Sequence, residues 1–310
     1  MAPTISQILG SSFSAIVAEK NKAANQWEES SFLRELDRQG GIKRMSFGAT
    51  IEAPIDYQRN AGAAILVTDL AATSLTKTDV LSAASYDIAE ISVPMVWSKK
   101  DEVMNSSPSQ KVDLVKSIAE NGLKSHDDVL EQYLFPASTN GFLGLLTHIS
   151  TNGQGSSGGI SATTETMWRN QQSTYVDDTD IESTFTTVWN ACAKGSGAML
   201  SPTLIVSDGA TQAVFEGTQQ AQQRYVDSQE LKAGFKVLGF KTSRYVFSPY
   251  GGSTAFFLNT DSFKLCVSKD YYKEKGQIDE IQNANGFVCK IYSAVQTVVN
   301  NRSRLGSAHV

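Results

Sequence analysis

Two overlapping glycine patterns carry the strongest chemical spacing in the chain. Gly153, Gly155 and Gly158 fit the GxGxxG turn that lays backbone amides along the phosphates of a dinucleotide, while Gly155, Ser157 and Gly159 fit the GxSxG turn that presents a nucleophilic serine. The first requires a helix opening at its last glycine, but Gly159-Ile160-Ser161-Ala162-Thr163 reads on as loop. The second requires a base downstream, and the only histidine beyond Ser157 is His309, one residue from the end. A loop rich in Gly and Ser produces both matches by composition alone, so neither is taken as a site. A hydrolase using Ser157 stays as a minor alternative, and no GxxxxGK[ST] phosphate loop occurs.

The remaining reactive residue types are dispersed. Three His (His126, His148, His309) and three Cys (Cys192, Cys266, Cys289) show no CxxC, HxxxH or HExxH spacing, which argues against a metal site built from neighbouring ligands. The odd set of thiols reads as reduced and buried. His126-Asp127-Asp128 are consecutive on a helix, so their side chains point in different directions, as on a solvated polar face. Asp177, Asp178 and Asp180 precede a helix and are read as charge set against its dipole. Arg302 and Arg304 are divided evenly between contact with a phosphate or carboxylate across an interface and plain solvation. Neither a cofactor nor catalysis is expected.

The elements that would hold these residues follow from periodicity. Thr4 and Gln7 make a capping box for a first helix whose Ile5, Ile8, Leu9, Phe13, Ile16 and Val17 share one face. A polar run broken by Trp27 follows, then a short helix from Phe32 to Arg38 stopped by Gly40 and Gly41. Met45 to Tyr57 and Tyr86 to Trp97 alternate as two strands around a soft middle, an extended hairpin that lacks a core of its own. Pro108 opens a helix running to Pro136, roughly 40 Å long by its rise per residue. Gly122 inside it marks a bend or a close approach.

Beyond that helix the element types mix. A strand is expected at Leu143–Ile149, a helix at Asp180–Lys194, a strand at Thr203–Val206, and a helix from Asp208 to about Val226. Strands are expected within Phe235–Phe247, Ala255–Val267 and Gly286–Val299. The order lacks a regular βαβ repeat and points to α+β.

Composition narrows function further. The 310 residues are 41% apolar and 19% charged, enough for a large core, and 27 basic against 32 acidic side chains leave a net charge of -5 with no basic stripe for gripping nucleic acid. No signal-peptide pattern and no apolar run long enough for a membrane span is present. An arm, a ribbon without a local core and a long helix are parts of something that assembles from copies.

The order of elements resembles that of the major capsid proteins of tailed bacteriophages with the Hong Kong 97-type fold. Local sequences strengthen the likeness: Tyr57-Gln58-Arg59-Asn60, Leu143-Gly144-Leu145, Gly158-Gly159-Ile160 followed by Trp168-Arg169-Asn170-Gln171, Phe256-Phe257-Leu258-Asn259-Thr260, and Asn301-Arg302-Ser303-Arg304-Leu305-Gly306. The tail carries Leu305 where a His is usual in such proteins. The resemblance implies an N-terminal arm (1–41), an extended β-hairpin loop with adjoining peripheral-domain strands (42–99) and a spine helix of the peripheral domain (100–139). An axial domain (140–280) and a C-terminal strand returning to the peripheral domain (281–310) would follow.

The same resemblance implies a virion protein, assembled in the bacterial host cytoplasm, whose pentamers and hexamers close into an icosahedral head around double-stranded DNA without sequence-specific binding. Separate scaffold, decoration, portal and protease proteins are the implied partners, and no membrane is. Ile8, Phe13, Trp27, Tyr57, Arg59, Asn60, Lys77, Arg302 and Arg304 are the residues expected at contacts between subunits. Lys77 with Asn300 or Asn301 has the residue types of the family's isopeptide cross-link, but noncovalent assembly is expected. An encapsulin-like compartment shell of the same fold is the alternative.

Overall fold

The computed structural model describes residues 30–56, 81–104, 108–193, 201–218 and 238–310. The first helix of the arm, with Ile8, Phe13 and Trp27, and the hairpin middle, with Tyr57, Arg59, Asn60 and Lys77, lie outside the described residues.

Helix α1 (Ser31–Arg38) starts where the Ser30 hydroxyl accepts a hydrogen bond from the Leu33 amide, and it stops before Gly40, whose φ of +68° suits glycine. Its Phe32, Leu33 and Leu36 are fully buried within this chain. A four-stranded sheet follows in the order β1-β14-β15-β4, where β1 is Ile42–Met45, β4 Ala89–Ser98, β14 Phe263–Glu280 and β15 Gly286–Val299. Strand β4 alternates without a break: Ala89, Ile91, Val93, Met95 and Trp97 face inward, while Glu90, Ser92, Pro94 and Val96 face out. Pro94 lacks an amide to donate, and β4 is an edge strand, where that loss is tolerated.

Helix α2 (Lys99–Met104) leads to α3 (Pro108–Leu134), which lies across β4 and buries Ala119, Leu123, Leu130 and Leu134. Gly122 marks a close approach: a Cβ there would stand 3.0 Å from the side chain of Met95 and 3.2 Å from Ile291.

Strands β2 (Thr50–Asp56) and β3 (Leu81–Asp87) pair as an antiparallel ribbon. The expectation that this ribbon lacks a core fails at its base. Ile51, Ala53, Ile55, Ala84 and Tyr86 all join the main hydrophobic cluster, and the Tyr86 hydroxyl donates to the carbonyl of Val299 at 2.8 Å. The inward face of a two-stranded ribbon is enough to dock it once a larger sheet is available.

The hairpin β5 (Ser138–Thr139) and β6 (Phe142–Leu143) precedes α4 (Leu145–His148). The strand expected at Leu143–Ile149 is therefore mostly helix, because a short apolar run does not distinguish strand from buried helix. Gly144 makes the switch, lying so close to the preceding backbone that a Cβ would overlap the carbonyl of Pro136.

The second half is built on a six-stranded mixed sheet in the order β11-β12-β10-β13-β16-β9. Its strands are β9 (Gln171–Thr174), β10 (Leu204–Ser207), β11 (Leu238–Phe240), β12 (Ser243–Phe247), β13 (Ala255–Leu258) and β16 (Gly306–His309). The central strands β10 and β13 are buried on both faces. Leu204, Val206, Phe256 and Leu258 face the main core, while Ile205, Ala255 and Phe257 face a second cluster under helices α5 (Ile181–Cys192) and α6 (Gly209–Thr218). Phe185 centres that cluster, stacked on Phe215 at 5.1 Å and edge-on to Phe257 at 5.2 Å. Asp178, Asp180 and Glu182 do cluster at the start of α5, though Asp180 makes no side-chain capping bond. Among the described residues no helix is long and apolar enough to cross a membrane.

Candidate functional site

The residues with chemical potential converge where α4, the Gly/Ser loop, the start of β9 and residues 301–305 meet. The loop forms a small hairpin of its own, β7 (Ser156–Ser157) and β8 (Ile160–Ser161). Gly153, Gly155, Gly158 and Gly159 all have positive φ, and no helix opens at either end of the pattern, so the glycines serve backbone handedness rather than phosphate binding. At Gly158 a Cβ would also stand 2.5 Å from that of Ala84, which presses the loop onto the β2–β3 ribbon.

Arg302 fills the centre and is fully buried. Its guanidinium donates to the carbonyls of His148, Gly155 (3.0 Å) and Gln154 (2.7 Å), to Asn170 Oδ1 (3.1 Å) and to Ser150 Oγ (3.3 Å). All of these acceptors are uncharged. Burial lowers its pKa to about 10, which still leaves it cationic at neutral pH. Both expectations for Arg302 are thereby corrected: with no exposed surface it neither reaches a neighbouring subunit nor sits in solvent. Arg304 is half-buried.

Motifs far apart in sequence meet around this side chain. Asn170 accepts from the Ser150 amide and donates to the Ser150 carbonyl at 2.8 Å. Gln171 donates through its side chain to Ser303 and through its amide to Leu305, Trp168 donates its indole N–H to the Ser157 carbonyl at 3.1 Å, and Asn301 caps the turn at Ser303.

Beside this hub the fold creates a pair that chain order had excluded. Ser157 Oγ lies 2.8 Å from His148 Nδ1, and His148 Nε2 lies 2.8 Å from Thr297 Oγ1. Thr297 donates its own proton to the Leu143 carbonyl, so it accepts from Nε2–H, and the Ser157 hydroxyl donates to Nδ1. That is the polarity of a nucleophile and its base, yet the setting opposes catalysis. His148 and Thr297 are fully buried, Ser157 is 2% exposed, and among the described residues it is the Thr297 hydroxyl, not a carboxylate, that orients the imidazole. Burial, reinforced by Arg302, drives the His148 pKa down to about 3, far below the range of a useful base at neutral pH. The rule that the base follows the serine in chain order missed this pair, and no sequence signal would have recovered it.

His126 departs from the solvated face expected of it. It is fully buried, with Asp127 beside it and Lys273 Nζ at 2.7 Å from the Asp127 carboxylate. Asp128 instead accepts from the Tyr250 hydroxyl at 2.7 Å. Cys192, Cys266 and Cys289 are buried, and burial pushes the Cys266 thiol up to about 11. Among the described residues no cluster of His, Cys, Asp and Glu is arranged to hold a metal ion. Asn300 is exposed and donates weakly to the Asp261 carbonyl.

Searches of family models and of curated proteins match nothing. Solved structures do match over most of the chain. The Cyanophage A-1(L) capsid asymmetric unit aligns with a TM-score of 0.61 at 13% identity, covering 87% of this chain and 90% of its own. The capsid of Myoviridae phage XM1 aligns with a TM-score of 0.55 at 11% identity, covering 88% and 91%. The SrpI encapsulin of Synechococcus elongatus PCC 7942 aligns with a TM-score of 0.54 at 11% identity, covering 94% of both chains. At these identities the likeness is one of fold.

Proposed function

We propose that this chain, which carries the Hong Kong 97-type capsid fold, is the major capsid protein of a tailed double-stranded DNA bacteriophage. The observation that carries the reading is the alignment of phage capsid subunits along 87% or more of the chain. In this reading the β2–β3 ribbon continues through residues 57–80 into an extended loop lying over an adjacent subunit. Helix α3 is the spine of a peripheral domain that includes the four-stranded sheet, and the six-stranded sheet forms the axial domain around the capsomer axis. Ile8, Phe13, Trp27, Tyr57, Arg59, Asn60, Lys77 and Arg304 serve contacts between copies. The network of Arg302, Asn170 and Gln171 locks the loop and the returning tail into one rigid unit, which is what a subunit repeated many times in a shell requires. Scaffold, portal, decoration and protease proteins act with it during assembly in the host cytoplasm.

A net charge of -5 suits a container that encloses DNA without gripping it, since each phosphate contact would add affinity opposing packaging and release. The test is negative-stain electron microscopy of the expressed protein, alone and with the products of neighbouring genes. Closed shells or capsomers are expected, and monomers under every condition would overturn the reading. Removing residues 58–81 should leave capsomers but no closed shells. The encapsulin alignment favours one second reading, a compartment shell around cargo protein. Shells purified from an expression host distinguish the two, since a compartment co-purifies with a cargo protein in fixed ratio.

A further inference from the structure

Helix α3 is tied to the four-stranded sheet at a point where that sheet is irregular. The pairing of β14 with β15 slips between Val267 and Tyr272 and again between Tyr272 and Glu274, and Lys273 between them takes a φ of +53°. That left-handed turn holds Lys273 buried, with its amide donating to Ser293 Oγ at 2.8 Å and its ammonium 2.7 Å from Asp127 Oδ1 on the helix. The same Asp127 oxygen lies 3.1 Å from His126 Nδ1. The other ring nitrogen of His126 is buried with no hydrogen-bond partner among the described residues, and the Tyr272 ring meets the imidazole edge-on at 5.7 Å. One carboxylate thus serves both the Lys273 ammonium and the His126 imidazole.

We propose that His126, Asp127 and Lys273 form an acid-sensitive latch between α3 and the β14 bulge, which holds while His126 is neutral and releases the C-terminal half of the helix from the sheet when His126 takes up a proton. The groups facing the imidazole are Asp127 on its own helix and Tyr272 and Lys273 on β14, with Arg44 on β1 and Asp37 after it in influence through Tyr272. A second cation beside Lys273 would have half a carboxylate to share and a buried N–H aimed at nothing, a charge the site cannot solvate. Burial and Lys273 both lower the pKa of His126, while Asp127 opposes them. The latched state therefore binds a proton less readily than the released state, whose histidine titrates near 6.5, and the latch weakens as pH falls below that value.

Amide hydrogen exchange of the full chain at pH 7.5 and 5.5, corrected for intrinsic rates, tests this. Residues 118–134 should lose protection selectively relative to β10 and β13, by up to about tenfold, the ceiling for one proton taken up on release one pH unit below 6.5. His126→Gln should abolish that selective loss. Uniform loss across the chain, or the same selective loss in His126→Gln, would overturn the proposal. Should the variant fail to fold, deuterium exchange at the His126 ring carbon of the native protein decides: a midpoint below 6.5 accompanied by the selective loss of protection over residues 118–134 supports the latch, and a midpoint at or above 6.5, or one without that loss, refutes it.

Discussion

Replacing Arg302 with Ala gives the most direct test of the hub as a structural lock. The side chain makes five hydrogen bonds to neutral acceptors and has no exposed surface. Several acceptors keep other donors: Gly155 O still accepts from Ala162, Asn170 Oδ1 from Ser150, and Gln154 O from the Ser150 hydroxyl. Of the remaining two, the Ser150 hydroxyl still donates to Gln154 O, while the His148 carbonyl is left without a named partner, a loss of about 1–3 kcal/mol for a buried acceptor. The void left by the guanidinium and its stem adds about 2–3 kcal/mol in a site that the surrounding loops fill only in part. The expected total is about 4 kcal/mol. Arg302→Lys keeps the charge but has no planar fork to reach acceptors on three sides, and should lose about half as much. Urea unfolding at pH 7 and matched protein concentration, followed by tryptophan fluorescence, measures both, and Trp168 reports from inside the hub. A value for Arg302→Ala within about 0.5 kcal/mol of the parent, the range of an ordinary surface change, would refute the reasoning.

Three further outcomes follow from the same geometry. Ser157→Ala should cost about 1 kcal/mol through the lost bond to His148 and leave no esterase rate to lose; hydrolysis of a p-nitrophenyl ester that depends on Ser157 would revive the enzyme alternative. His148 is held near pKa 3 in the fold against 6.5 unfolded, so its contribution to stability is complete above pH 6.5 and declines as pH falls toward 3, by up to about 1.4 kcal/mol per pH unit. Melts of His148→Gln across that window should show a shallower decline, and an identical slope would contradict the assignment. Gly158→Ala should destabilise by about 2 kcal/mol or more, because it combines φ of +60° with a 2.5 Å approach to Ala84; a neutral melting temperature would show that the loop and ribbon are not pressed together.

Legibility followed the range of the interactions. Strand β4 and helix α3 were readable because their burial repeats every second residue or every helical turn, and β10 because it is a short apolar run feeding a capped helix. Gly122 signalled something, and only the sheet beneath it decided between bend and contact. The hub was invisible. Arg302 bonds mainly to backbone carbonyls, which leave no mark in side-chain identity, and His148 and Ser157 meet through a turn that contains two left-handed glycines, Gly153 and Gly155. The misplaced strand at Leu143–Ile149 and the supposedly coreless ribbon share one cause. Each was judged alone, while its burial comes from β15, whose Gln296 side chain reaches Leu143, Gly141 and Asp87 together.

The position of β16 has a consequence for how the chain reaches its native state. This strand lies between β13 and β9, pairing antiparallel with the first and parallel with the second, so the six-stranded sheet stays split until residues 306–309 arrive. During synthesis both flanking strands would present open edges, and Arg302 would be missing from its ring of carbonyls. Contacts this distant in sequence form slowly, and open edges favour pairing with the wrong chain. The six-stranded sheet therefore closes only once residues 306–309 have been made, after every other strand it contains.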